Sequence, residues 1–126
     1  MANTNGAKEI NISSKEIIKK ILVADGKLIK RVSLDEIICI QSDHHYSNIT
    51  LKRGKNLLCS RPLSDFESRL PDYFFRIHKS AIVNLRHFVS FNEHGVNQAR
   101  LTNDIEIKVA HRRKSEFVRA LYRACG

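Results

Sequence analysis

No stretch of this chain approaches the roughly 18 consecutive apolar residues that would span a bilayer. Its opening, M-A-N-T-N-G-A-K-E-I, also lacks the apolar centre of a secretory signal. The expectation is a soluble cytoplasmic protein without membrane contact. Residues 1–14 read as a disordered or tag-like leader, and 15–126 as a single domain. Cysteine is scarce. Cys39, Cys59 and Cys125 form an odd set with no C-x-x-C pair, which argues against a disulfide framework and a thiolate zinc site and for buried reduced thiols. G-x-S-x-G, G-x-x-x-x-G-K-[ST] and H-E-x-x-H are all missing, so neither a nucleophile nor a phosphate cradle stands out. An enzyme is not expected, and no cofactor or small-molecule substrate is implied. Asp43-His44-His45 comes nearest to a metal set, but adjacent side chains on an extended segment point opposite ways. Repeats and low-complexity segments are absent.

Acidic residues are missing in a patterned way. Residues 44–64, 73–92 and 107–115 contain no aspartate or glutamate, while the 126-residue chain carries a formal charge of +9. With 42% hydrophobic residues it can bury a core, so the positive charge belongs to a folded domain with an anionic partner. The basic side chains of these windows include Lys52, Arg53, Lys55 and Arg61, then Arg76, Lys79 and Arg86, then Lys108, Arg112, Arg113 and Lys114. Isolated surface cations commonly serve solubility alone. Acid-free basic windows repeated along the chain fit phosphate contacts better.

Short apolar runs with β-branched residues, separated by Gly, Asn or Asp, predict short strands. Runs 17–23 and 28–32 flank Ala24-Asp25-Gly26-Lys27, a hairpin signal, and Ser33 with Glu36 predicts one capped helical turn. A strand over 37–40, a polar loop over 41–45 and a strand over 46–51 follow, then a turn at 52–56 and a returning strand at 57–60. Leu63, Phe66 and Leu70 predict a helix over 62–70 with Ser64 as N-cap, stopped by Pro71. Strands at 88–91, 98–101 and 105–109 precede a terminal amphipathic helix over about 112–124 that carries Phe117, Val118 and Leu121.

Each acid-free window also holds a side chain able to read a base edge. These are Asn48, then Lys79 or Asn84, then His111 with Arg112. Asn84, between Val83 and Leu85, fits a backbone-capping amide better, and His78 fits a buried histidine bonded to the backbone.

The segment F-F-R-I-H-K-S-A-I-V-N-L, residues 74–85, resembles the hallmark of the LytTR family of bacterial transcription regulators. I-I-C-I-Q-S-D-H-H-Y at 37–46 and L-S-D-F-E-S-R-L-P-D-Y-F-F at 63–75 resemble the strand with its loop and the helix that precede it, and the likeness runs from about 22 to 122. The resemblance implies a compact, mainly β domain of several small antiparallel sheets with short connecting helices and a C-terminal helix. It implies that loops, not a recognition helix, enter successive major grooves of double-stranded DNA. By position, base contacts fall on Ser47 or Asn48, on Lys79, and on His111 or its substitute Arg112. Backbone contacts fall on His44, His45, Lys52, Arg53, Lys55, Arg76, Ser80, Arg86, Arg113 and Lys114. The chain departs from the family at Ala110-His111, where relatives usually show Ser-Arg. A neutral imidazole cannot make the bidentate guanine contact of an arginine. Relatives commonly bind paired direct repeats as two protomers, and many carry a receiver, membrane or sensing domain ahead of this part. The chain therefore reads equally as a stand-alone regulator or as the output domain of a longer one. The alternative partner is RNA or a single strand, stacked on Tyr46, Tyr73 and Phe75.

Overall fold

The computed structural model describes residues 19–126, so the expected leader and Ile17 and Ile18 of the first apolar run lie outside the described residues. Lys20–Asp25 (β1) and Leu28–Ser33 (β2) form the expected hairpin, with Asp25 opposite Leu28. Gly26 at φ 64° supplies the left-handed step of its turn without a Cβ penalty. The outer edge of β2 stays unpaired among the described residues, and Leu28, Ile29, Lys30 and Arg31 are all exposed along it. A 3-10 turn follows at Leu34–Glu36, but Ser33 makes no side-chain cap there. Burial of Leu34 and its N–H bond to the Lys19 carbonyl at 2.9 Å hold it instead.

Ile37–Asp43 (β3) and Tyr46–Leu51 (β4) correct one expectation, because the polar run 41–45 is not a loop. β3 continues to Asp43, which pairs with Tyr46, and only His44 and His45 turn the chain. The outer end of β3 extends past the core, where Ser42 and Asp43 are exposed and nothing requires them to be apolar. Leu57–Cys59 (β5) pairs back on β4. The helix Leu63–Arg69 (α1) starts with Pro62 rather than Ser64 at its cap position, a place where the missing proline N–H forfeits no helical bond. Phe74–His78 (β6) and Ala81–Asn84 (β7) complete a five-stranded antiparallel sheet in the order β5-β4-β3-β7-β6.

Phe88–Phe91 (β8), Gln98–Leu101 (β9) and Ile105–Lys108 (β10) form a second, three-stranded antiparallel sheet. The terminal helix runs over Lys114–Cys125 (α2) after a 3-10 turn at His111–Arg113. No helix among the described residues is long and apolar enough to cross a membrane.

The period of two along each strand divides the apolar residues between two cores. Ile40, Ile49, Leu57 and Ile82, aligned across the large sheet, face the first hairpin and α1 with Ile21, Val23, Val32 and Phe66. Cys39 and Val83 face the other way, toward the small sheet and α2 with Ala99, Leu101, Ile107 and Phe117. The middle strands are thus buried on both sides, which explains the unbroken apolar run I-I-C-I in β3. Phe117 anchors the second core, with its ring centroid 5.8 Å from Phe75, 6.0 Å from Phe88 and 5.3 Å from Phe91. Cys39 and Cys59 are buried free thiols as expected, and burial pushes the Cys39 thiol up. Cys125 is exposed, a correction, because it closes α2 beyond the packed turn.

Asn84 has the structural role expected of it. Fully buried, its Nδ2 donates to the Ile37 and Leu34 carbonyls at 2.9 and 3.3 Å, and its Oδ1 accepts the Arg86 N–H at 2.9 Å. Removing the amide strands buried backbone groups that strand pairing does not satisfy. Asn84→Ala should cost about 3 kcal/mol in urea unfolding, comparable to the roughly 3–5 kcal/mol of Phe117→Ala. A loss below about 1 kcal/mol for Asn84→Ala would show that this network is dispensable.

Candidate nucleic-acid interface

Backbone hydrogen bonds gather part of each acid-free window at one end of the large sheet. The Ser42 N–H donates to the Ser80 carbonyl at 2.9 Å, which brings the His44-His45 turn beside the Lys79-Ser80 turn of β6–β7. On the other flank the Ala110 N–H donates to the Ile77 carbonyl at 3.2 Å, and Arg113 Nε to the Arg76 carbonyl at 3.1 Å. His111 and Arg112 thus follow Ala110 beside the end of β6 that leads into Lys79, and His111, Arg112 and Lys79 are exposed, as are His44 and His45. His44 holds φ 57°, uncommon for a residue with a Cβ and a sign of strain at the tip. The tip is not wholly free of acid, because Asp43 Oδ1 lies 4.0 Å from His44 Nε2.

The Lys79 turn is braced from beneath. Arg76 donates through Nη2 to the Lys79 carbonyl at 2.6 Å, through Nε to the His78 carbonyl at 3.1 Å, and through Nη1 to Glu67 Oε1 at 2.8 Å. His78 Nδ1 accepts the Ser80 N–H at 3.0 Å, which places the ring proton on Nε2. Half-burial holds the His78 ring below the ordinary histidine range, aided by the charges of Lys108, Arg76 and Lys79. The hallmark thus builds a rigid turn from which Lys79 alone extends a charged side chain freely into solvent.

Several expected contacts are used up inside the protein. Ser47 is fully buried and its hydroxyl donates to the Arg61 carbonyl at 2.5 Å, so it does not reach the surface. Of the pair proposed on β4, only half-exposed Asn48 lies open, between its strand partners Gln41 and Leu58. Arg76 is committed to the turn. Arg113 stacks 4.8 Å over Phe75 and pairs with Glu116 at 2.6 Å, and Lys114 donates to the Glu93 carbonyl at 2.6 Å. Ser80 has both backbone groups bonded and keeps only its hydroxyl beside Lys79.

The remaining basic residues sit elsewhere. Lys52, Arg53 and Lys55 occupy the β4–β5 turn, at the far end of β4 from His45, roughly 20 Å away at about 3.3 Å per residue. Arg86 follows β7 at that same far end, stacked 3.8 Å over the Tyr73 ring. Arg53 is paired with Glu36 at 3.0 Å, and this hydrogen bond keeps the Glu36 carboxyl below its usual range. Lys52 and Lys55 are exposed. Reading residues 44–64 as one window merged two places, because β4 carries the chain from one end of the sheet to the other. Arg61 and Lys108, though visible as basic in sequence, gain a place at the Lys79 end only through the fold. The β4–β5 register brings 60–61 back beside Tyr46, and Lys108 lies near enough to His78 to act on its charge.

Metal and stacking chemistry find no comparable site. No group of three metal-ligating side chains occurs among the described residues. Of the aromatic trio, Phe75 packs against Phe117 and Tyr73 lies under Arg86, so only Tyr46, 46% exposed, remains open to a base.

The described residues thus form a two-core β domain with a braced basic turn at one end of its large sheet. The family model of the LytTr DNA-binding domain matches residues 27–122, and the chain belongs to this LytTR family of DNA-binding domains. The solved structure of a LytTr DNA-binding domain from Bacillus cereus superposes with a TM-score of 0.70 at 20% identity, over 82% of this chain and 97% of that one. The chain is also 32% identical over 77 residues to the CO-responsive transcriptional regulator RcoM of Rhodospirillum rubrum. That match covers 60% of this chain and 32% of RcoM, so the chain spans about a third of the length of this relative.

Arg76→Ala should release the Lys79 and His78 carbonyls. Amide exchange at Ser80 and Ala81 should then accelerate by about tenfold while the β3–β4 ladder is unchanged. Unaltered exchange at these amides would mean the guanidinium does not brace the turn.

Proposed function

We propose that this domain binds duplex DNA sequence-specifically in cytoplasmic transcriptional regulation, and that the Lys79 end enters a major groove. The observation that carries this reading is the convergence of His44, His45, Lys79, His111 and Arg112 at one end through the Ser42–Ser80 and Ala110–Ile77 backbone bonds. Lys79 and Arg112, with His111, serve as base readers, and Asn48 supports them from the sheet. His44 and His45, with the Ser80 hydroxyl, meet phosphates beside them. Lys52 and Lys55, with Arg53 and Arg86, meet the backbone farther along. A separation of roughly 20 Å exceeds the groove width of about 12 Å, so the two ends fall on different stretches of the duplex. Paired direct repeats bound by two protomers are the proposed operator, and residues 15–126 the proposed single domain. Duplex is favoured over RNA or single strands because two of the three stacking aromatics are occupied within the protein.

Two substitutions separate reading from attraction. Lys79→Ala should lower affinity for a selected operator by about 1–3 kcal/mol and reduce its advantage over random duplex. Lys55→Ala should weaken both equally and lower the slope of log K against log salt by about 0.9. Binding of selected and random duplexes, titrated across salt concentrations, checks both. An unchanged specific-to-random ratio in Lys79→Ala would remove it as a base reader.

A further inference from the structure

Between Arg76 and Ser80 the chain reverses within two residues, and the Ser80 N–H finds its acceptor in a side chain, the Nδ1 of His78 at 3.0 Å. The Arg76 guanidinium fixes the two carbonyls on the other side of the turn. The direction in which Lys79 leaves the backbone is therefore set by two side chains, one permanently charged and one titratable. An imidazole can accept at Nδ1 only while neutral, since both nitrogens of the protonated ring are donors.

We propose that His78 is a positioning residue for DNA recognition: its neutral ring, by accepting the Ser80 N–H, aims Lys79, and protonating it abolishes sequence discrimination while leaving charge-driven DNA binding intact. This inference rests on Lys79 as a base reader. The groups facing the ring are Arg76 on β6, Lys79 in the turn and Lys108 on β10, while Glu67 of α1 and Arg113 before α2 act through Arg76. The nearest charges are cations, which together with burial keep the ring neutral below the ordinary histidine range. The hydrogen bond is accordingly complete at neutral pH and is lost as pH falls through that depressed value. An added proton also increases attraction to phosphates, so discrimination and overall affinity move in opposite directions on acidification. A histidine contacting phosphate directly would raise affinity without lowering discrimination.

Asparagine in place of His78 offers a non-titrating oxygen acceptor to the N–H two residues on, an Asx turn. The experiment compares the full chain with H78N, H78A and K79A, binding selected and random duplexes over a pH series that descends from 7.5 as far as thermal melts show each variant folded. In the parent protein the specific-to-random ratio should fall by about tenfold as the ring takes up its proton. In H78N it should hold across the series, and in H78A it should be low throughout. His44, His45 and His111 are present in every variant, so whatever they contribute is shared and the difference between the parent and H78N reads residue 78 alone. If the parent and H78N share one pH profile, or H78A discriminates as well as the parent while K79A does not, the positioning role is overturned and Lys79 survives as a reader. If K79A discriminates as well as the parent, the reading of Lys79 fails first and the inference falls with it.

Discussion

The guanidinium of Arg76 is where the separate parts of this domain meet. It grips the His78 and Lys79 carbonyls and the Glu67 carboxylate of α1, and its own backbone carbonyl receives Arg113 from the segment entering α2. One residue thereby links the first core's helix, the central sheet's outermost turn and the second core's helix. Planarity makes this feasible. Five N–H donors in a fixed fork can serve carbonyls and a carboxylate at once, whereas an ammonium on a flexible stem could not hold the same directions. Asn84 performs a comparable task at the opposite end of β7, joining β3 and the preceding 3-10 turn to the chain leaving the strand.

This division of labour changes what the positive charge means. Arg76 and Arg113 are internal fasteners, and Arg53 is balanced by Glu36. The cations expected to meet DNA that stay exposed, Lys79 and Arg112 at one end of the large sheet and Lys52 and Lys55 at the other, are held apart by a sheet whose middle strands are buried on both faces. Such strands do not flex easily, so the spacing between the ends belongs to the fold rather than to side-chain rotamers. A duplex engaging both must present its phosphates at that spacing, and this adds a dependence on DNA shape to any reading of base edges.

Much of the fold was legible in the letters because strands here follow a period of two and end at clear turn signals. Asp25-Gly26 and Pro71 each fell where the chain changes direction. What escaped was set by neighbours distant in sequence. Gln41 to Asp43 looked like a loop because polarity marks exposure rather than backbone conformation, and the pairing that keeps them extended comes from β4. Ser47 looked available because a lone serine in an alternating strand carries no sign of which face it takes. The carbonyl it bonds belongs to Arg61, fourteen residues on. The hallmark told least about itself. Arg76, Lys79 and Ser80 seemed equally ready to touch DNA, and only the hydrogen bonds distinguish the side chains that build the turn from the one it presents.

The open edge of β2 gives another meaning to some of the remaining cations. Among the described residues this edge is unpaired, and with Leu28 and Ile29 exposed along it a second copy could add its own strand. Lys30 and Arg31 follow directly, so a copy approaching antiparallel would set these charges against their like. Crowded side by side on neighbouring sites, such domains would be kept by this repulsion from zipping into a shared sheet. Cations on an open strand edge would in this way discourage edge-to-edge pairing between copies, apart from any attraction to phosphate.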